Sequence, residues 1–176
     1  MNALQSLQKI LSGGVIAIMR APSAAQLLDA AKAIYEGGVD VIEVTMTTPG
    51  ALSVVDQAVS QFGEQVLFGA GSVLDPETAR LAILAGAQFV VSPTLNLDTI
   101  EMCKRYSVPV IPGAYTPTEI LTAWEHGADI VKVFPASVGG PAYIKAIKAP
   151  LPQVRLAAVG GVTVENTAQF FSAGID

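Results

Sequence analysis

Three ionisable residues lie inside runs that are otherwise apolar: Arg20 closes VIAIMR, Glu43 sits within VIEVT and Lys132 within IVKVF. Burying one such charge without a partner costs several kcal/mol, so the three are expected to face one another or a ligand. A lysine in an apolar wall beside a second cation such as Arg20 shifts toward its neutral, nucleophilic form, which can add to a carbonyl and give a Schiff base. A carboxylate within reach can then move the protons that imine formation and carbon–carbon cleavage require. Lys132 and Glu43 are therefore a candidate nucleophile and a candidate acid/base. The same two residues also read as a buried ion pair with no catalytic part.

These side chains need a scaffold that carries several strands to one place. Short β-branched, apolar runs recur at 15–19, 39–44, 66–68, 89–91, 108–111, 130–134 and 154–158, and are read as seven strands. Segments of helical period with capping residues lie between them, among them 23–37, 75–86, 96–106, 116–127 and 163–174. Similar joins, EGGVDVIEV, LAGAQFVVS, EHGADIVKV and SAGID, lead from a helix-ending glycine directly into a strand. Strands apolar on both faces and separated by helices imply a parallel sheet covered by helices. Eight such units close a (β/α)8 TIM barrel, whose chemistry sits at the C-terminal ends of the strands. Because SAGID repeats the join that precedes a strand, residues 1–176 are read as one α/β barrel domain whose eighth strand and closing helix are missing from this chain. An open doubly wound sheet is the alternative, but GAGSVL lacks the third glycine and the downstream acid of a dinucleotide site.

The seven strand ends carry small groups and bent backbone: Thr45, Thr47, Gly71, Ser72, Ser92, Pro93, Gly113, Pro135, Gly160 and Gly161. Gly160 and Gly161 precede a helix with Thr163 as its expected N-cap, where N–H groups and the helix dipole suit a phosphate; a plain turn is the other reading. Asp40, Asp129 and Arg155 stand at strand beginnings, the face concerned with stability. His126, the only histidine, precedes a glycine at a helix end, where a cation suits the dipole, and Cys103 lies in a helical pattern as a packed small residue.

Composition narrows the partners. Of 176 residues 51% are apolar, enough for one large core, and the formal charge of −5 with no basic run offers nucleic acid no electrostatic footprint. The longest uncharged stretch, 81–97, is broken by Gly86, Gln88, Ser92, Pro93 and Asn96, so it is no membrane span. The N-terminal MNALQSLQKIL has the spacing of an amphipathic capping helix and lacks a basic leader, which points to the cytoplasm. One cysteine excludes an internal disulfide, and no cluster has metal-ligand spacing. A small molecule is the expected partner.

Taken in order, AIMR, EGGVDVIEVT, GAGSVLDPE, AGAQFVVSP, IPGAYTPTE, VKVFPAS, GGPAYIKAIKAPLP and VGGV resemble the 2-keto-3-deoxy-6-phosphogluconate (KDPG) and 4-hydroxy-2-oxoglutarate (KHG) aldolases, from about Val15 to the last residue. The resemblance implies a Schiff-base lysine at Lys132 and a general acid/base at Glu43. It implies that Arg20 and Ser72 bind the pyruvate carboxylate, that Pro93 and Phe134 line the pyruvate pocket, and that Gly160 and Gly161 help bind phosphate. It further implies cleavage of KDPG to pyruvate and glyceraldehyde 3-phosphate, or of 4-hydroxy-2-oxoglutarate to pyruvate and glyoxylate, by a homotrimer needing no cofactor or metal. Thr47 stands where some members carry an arginine. Val159, in AVGG where many gluconate-type members read PTGG, looks like the branch acting on the C4 epimer, 2-keto-3-deoxy-6-phosphogalactonate. A phosphosugar isomerase or epimerase on a similar barrel, whose metal-using members need histidines and acids that this chain lacks, and a non-catalytic ligand-binding barrel, with Lys132 only a counter-ion, are the other functional readings.

Overall fold

The alternation of β-branched runs and capped helical segments becomes a curved parallel sheet wrapped by helices. A computed structural model describes residues 1–20 and 24–176. Ser23, the expected start of the second helical segment, lies outside the described residues. The order is α1 (Ala3–Gly13), β1 (Ala17–Met19), α2 (Ala24–Glu36), β2 (Val41–Thr45), α3 (Ala51–Phe62), β3 (Leu67–Gly71), α4 (Pro76–Leu84), β4 (Val90–Val91), α5 (Leu97–Arg105), β5 (Val110–Ile111), β6 (Gly113–Ala114), α6 (Pro117–Glu125), β7 (Val131–Val133), α7 (Gly140–Lys148), β8 (Leu156–Ala158) and α8 (Thr167–Ser172). Asp75, Asn96 and Thr116 begin helices as expected, their side chains accepting from the N–H groups of Thr78 (2.6 Å), Thr99 (2.9 Å) and Glu119 (3.3 Å). The last helix departs from expectation: it begins at Thr167 with Asn166 at the cap position, because the Asn166 carboxamide is engaged with the Thr163 N–H (2.8 Å) and the Gly161 carbonyl (2.9 Å) and holds 161–166 as a loop.

Every strand pair is parallel, in the order β1-β2-β3-β4-β5 and β6-β7-β8. The expected fifth strand, 108–111, continues past Pro112 as a further short strand, β6, the break falling at a residue with no N–H to give to a ladder. β5 pairs with β4 and β6 with β7. The N–H groups of Asp129, Lys132 and Phe134 donate to the carbonyls of Val110, Pro112 and Ala114 at 3.1, 2.9 and 3.0 Å, so the wall continues across the proline. The wall also curls round, since Ile18 of β1, Glu43 of β2, Ile111 of β5, Lys132 of β7 and Ala157 of β8 all border one cavity. This is the (β/α)8-barrel architecture. Among the described residues β1 and β8 are not paired with each other, and the Asp176 N–H donates to the Leu156 carbonyl (3.0 Å) on the free edge of β8.

Alternation along the strands produces two cores. Ile42, Val44, Phe68, Ala70, Val90, Val110, Val131 and Val133 face outward into the helices, and Val41, Leu67, Phe89, Val91, Ile111 and Ile130 face inward. Ile10 of α1 joins the inner group from below, so the N-terminal helix caps the barrel floor as its amphipathic spacing suggests. Asp40 pairs with Lys9 (3.2 Å) and Asp129 with Lys104 (3.1 Å) at that end, matching their reading as structural. Phe89 is fully buried in the floor, and a Cβ on Gly69 would lie 2.5 Å from its ring.

Phe89→Ala is expected to cost about 3–5 kcal/mol by leaving a cavity in the floor, which lowers Tm by roughly 10 °C. A thermal melt within about 2 °C of the parent would show that the floor contributes little.

Candidate active site

The inward positions of the strands form layers, and the chemistry begins one layer above the apolar floor. On β2 the sequence Val41, Glu43, Thr45 points inward, and on β7 Lys132 follows Ile130. Glu43 is 3% and Lys132 5% exposed, so both ionisable groups are buried. They border a cavity of about 110 Å³ whose other walls include Ile18, Val91, Ile111, Ala157 and Val159. Among the described residues the ion pairs lie elsewhere, and Glu43 and Lys132 form none with each other. That argues against the simple structural pair, because a salt bridge kept for stability should close on itself.

Burial pushes the Glu43 carboxyl above its ordinary range, opposed by the Lys132 and Arg20 cations. Burial likewise pulls the Lys132 ammonium below its ordinary range; Glu43 opposes this and Arg20 adds to it. Arg20, exposed at the end of β1, thus acts on both groups in the sense expected of a cation beside an amine nucleophile. The Lys132 Nζ also lies 5.0 Å from the centre of the Phe134 ring, and Phe134 is 38% exposed toward the mouth.

The remaining residues divide between two neighbouring spaces. Val159, Gly160 and Gly161 border a second cavity of about 350 Å³, which shares Ile18 and Val159 with the first. Gly160 (φ 89°) and Gly161 (φ 77°) both occupy the left-handed region that side chains avoid, and Gly161 packs against Ser137. Because α8 starts only at Thr167, Gly160 and Gly161 meet this cavity as loop residues, and α8 adds Thr167, Phe170 and Phe171 to its lining. Thr47 and Ser72 come together, but in a separate cleft of about 540 Å³ outside the Glu43–Lys132 cavity. The Thr47 hydroxyl meets that of buried Thr45 at 3.0 Å, and Ser72 is held at φ 57°, an uncommon conformation for serine. Pro93 stands aside from the cavity too, its carbonyl covering the bare face of Gly113, where a Cβ would come within 2.3 Å.

Sequence reading missed Asn166, which ties down the Gly161 loop; its only signal was an asparagine in a turn-rich stretch. Cys103 is fully buried, and burial with the nearby Asp129 raises its thiol to about 12, so it is inert packing. His126 closes α6 with its Nδ1 2.7 Å from the Thr122 carbonyl, a structural place.

The family model for KDPG and KHG aldolase matches residues 7–175. The chain belongs to the KDPG and KHG aldolase family. It is 39% identical over 161 residues to a 2-dehydro-3-deoxy-6-phosphogalactonate aldolase of Escherichia coli (strain K12), covering 91% of this chain and 78% of that one. It is 38% identical over 167 residues to a 2-dehydro-3-deoxy-phosphogluconate aldolase of Treponema pallidum (strain Nichols), covering 94% and 78%. Among solved structures, the KDPG aldolase of Legionella pneumophila, with pyruvate captured as a covalent carbinolamine, superposes with a TM-score of 0.88 at 29% identity, covering 95% of this chain and 81% of that one.

The signs of the two cationic and anionic influences make a testable pair. Glu43→Gln removes the charge that raises the Lys132 pKa, so the pH midpoint for pyruvate-dependent inactivation by borohydride should move down. Arg20→Met removes the charge that lowers it, so the midpoint should move up. Movement of both midpoints in one direction would contradict the charge arrangement.

Proposed function

We propose that this chain is a class I aldolase that reversibly cleaves KDPG to pyruvate and glyceraldehyde 3-phosphate, and also 4-hydroxy-2-oxoglutarate to pyruvate and glyoxylate. The observation that carries the reading is a buried lysine and a buried carboxylate in one cavity wall, uncommitted to each other. The neutral Lys132 amine adds to the C2 carbonyl to form a carbinolamine, and Glu43 delivers the proton with which water departs, leaving the iminium. Glu43 then takes the proton of the C4 hydroxyl as the C3–C4 bond breaks, the bonding electrons flow toward the iminium, and the aldehyde leaves. Protonation of the enamine at C3 and hydrolysis release pyruvate and restore the amine. Arg20 holds the substrate carboxylate, Phe134 shapes the pyruvate end, and Gly160 and Gly161 receive the phosphate; Ser72, Thr47 and Pro93, which the resemblance assigns to the substrate, lie outside the Glu43–Lys132 cavity. The carbinolamine in the Legionella relative supports the first step by likeness.

We further propose that the single barrel acts in the cytoplasm as a homotrimer. Leu74, Leu81 and Leu84, exposed at 58%, 52% and 65% on and beside α4, offer an apolar face for subunit contact. Among the described residues no helix is long and apolar enough to cross a membrane.

A second substrate reading rests on Val159. It borders both cavities without a hydroxyl to offer a sugar chain, and this favours the C4 epimer, 2-keto-3-deoxy-6-phosphogalactonate. Measuring kcat/KM on the two epimers decides between them. Val159→Thr should move the ratio toward the gluconate substrate by roughly tenfold, the scale of one added polar contact; an unmoved ratio would remove Val159 as the selector.

Borohydride with pyruvate should add one stable pyruvate-derived mass, on Lys132. Lys145 and Lys148 of α7 are internal controls, Lys148 being already engaged with the Val154 carbonyl (2.9 Å) and Asp176 (2.7 Å). Labelling of either control in place of Lys132, or none at all, would overturn the aldolase reading of this cavity.

A further inference from the structure

We infer that Gly71 is the positioning residue for Glu43: the side chain it lacks is the seat in which the carboxylate rests. Glu43 and Gly71 lie on neighbouring parallel strands, Glu43 opposite Gly69 and Thr45 opposite Gly71 in the register. A Cβ built on Gly71 would stand 1.7 Å from the Glu43 Oε1, 2.2 Å from its Cδ and 2.5 Å from its Cγ, and these are its three nearest neighbours. All three are far inside van der Waals contact, so the smallest side chain at 71 would evict the carboxyl group.

The backbone does not require glycine there. Gly71 is a β-strand residue and is not among the residues of positive φ, so alanine fits its dihedral angles. The constraint is steric and comes from Glu43. Gly69, two residues earlier on the same strand, serves a different neighbour, the Phe89 ring in the floor. Strand β3 therefore presents two notches to the barrel interior. The lower admits an aromatic ring that stabilises, and the upper admits the acid that reacts. The chain turns sharply just above the upper notch, where Ser72 sits at φ 57° and the Gly71 carbonyl accepts the Met46 N–H at 2.7 Å. That bond ties the notch to the end of β2, the strand that carries Glu43, so seat and carboxylate move together.

The inference rests on the proposed role of Glu43, and the experiment separates the two. In the full chain, Gly71→Ala should lower kcat by roughly a hundredfold, the scale of losing a placed proton carrier, with a much smaller change in KM. In a Glu43→Gln background, already impaired in proton transfer, the same substitution should cost less than about threefold, since two changes that disable one group do not multiply. A purely structural effect would multiply in both backgrounds. Thermal unfolding provides a second cycle that does not depend on activity. Gly71→Ala alone should lower Tm by roughly 5 °C through overpacking, and most of that loss should vanish in a Glu43→Ala background, where the seat is empty. Equal Tm losses in both backgrounds would overturn the seat, as would equal kcat losses in both where Glu43→Gln is itself impaired. If Glu43→Gln is as active as the parent while the Tm cycle still shows coupling, the catalytic role of Glu43 falls and the steric relation survives.

Discussion

Removing a carboxylate and an ammonium from water costs several kcal/mol for each ion, and direct contact between them would be the simplest recovery. Glu43 and Lys132 are both buried in the same wall, yet that contact is not made. The uncompensated part of the cost appears as displaced proton affinities, the carboxyl raised and the ammonium lowered, so each group is held nearer its neutral form than water would allow. A barrel that tolerates this must be stable elsewhere. The floor of Val41, Leu67, Phe89, Ile111 and Ile130, sealed by Ile10, and the outer layer of aliphatic residues under the helices supply that stability.

Stability and reactivity are separated by height along the same strands. One inward position beyond Val41, Leu67 and Ile130 on their own strands stand Glu43, Gly69 and Lys132, with Gly113 opposite Lys132, and one position further along β2 and β3 stand Thr45 and Gly71. Bulk decreases as function begins. Gly113 is bare because the 93–94 backbone crosses it, and Gly69 because Phe89 does. These small inward residues are therefore fitted to particular neighbours.

Much of this was legible in the sequence because it depends on period and burial. The seven β-branched runs, the caps Asp75, Asn96 and Thr116, and the charges of Glu43 and Lys132 in apolar strands all follow from local chemistry, whereas Arg20 lies exposed just beyond β1. The misreadings have local causes as well. Pro112 divides a strand that hydropathy alone reads as ending before it, and Asn166 takes Thr163 out of its expected capping place by bonding back to Gly161. Gly71 was visible only as a small residue at a strand end. What fills its notch is a side chain 28 positions earlier, a contact set by register between strands and invisible to any local pattern. The grouping of Thr47 with Ser72 outside the main cavity is likewise a matter of loop direction, which residue type does not encode.

The opposing influences on Lys132 make sense when assigned to different moments of the proposed reaction. Before attack the amine must be neutral, and burial together with Arg20 favours that form. After water leaves, the nitrogen must stay protonated as the iminium to draw the bonding electrons, and the Glu43 carboxylate that opposed deprotonation of the amine then stabilises that cation. A substrate carboxylate held by Arg20 would blunt the guanidinium's repulsion at that same stage. Arg20 thus favours the nucleophile and Glu43 the cation that follows it. A direct Glu43–Lys132 salt bridge would hold the amine protonated from the start, so the separation between the two groups that costs the fold stability is also what leaves the nitrogen free to react.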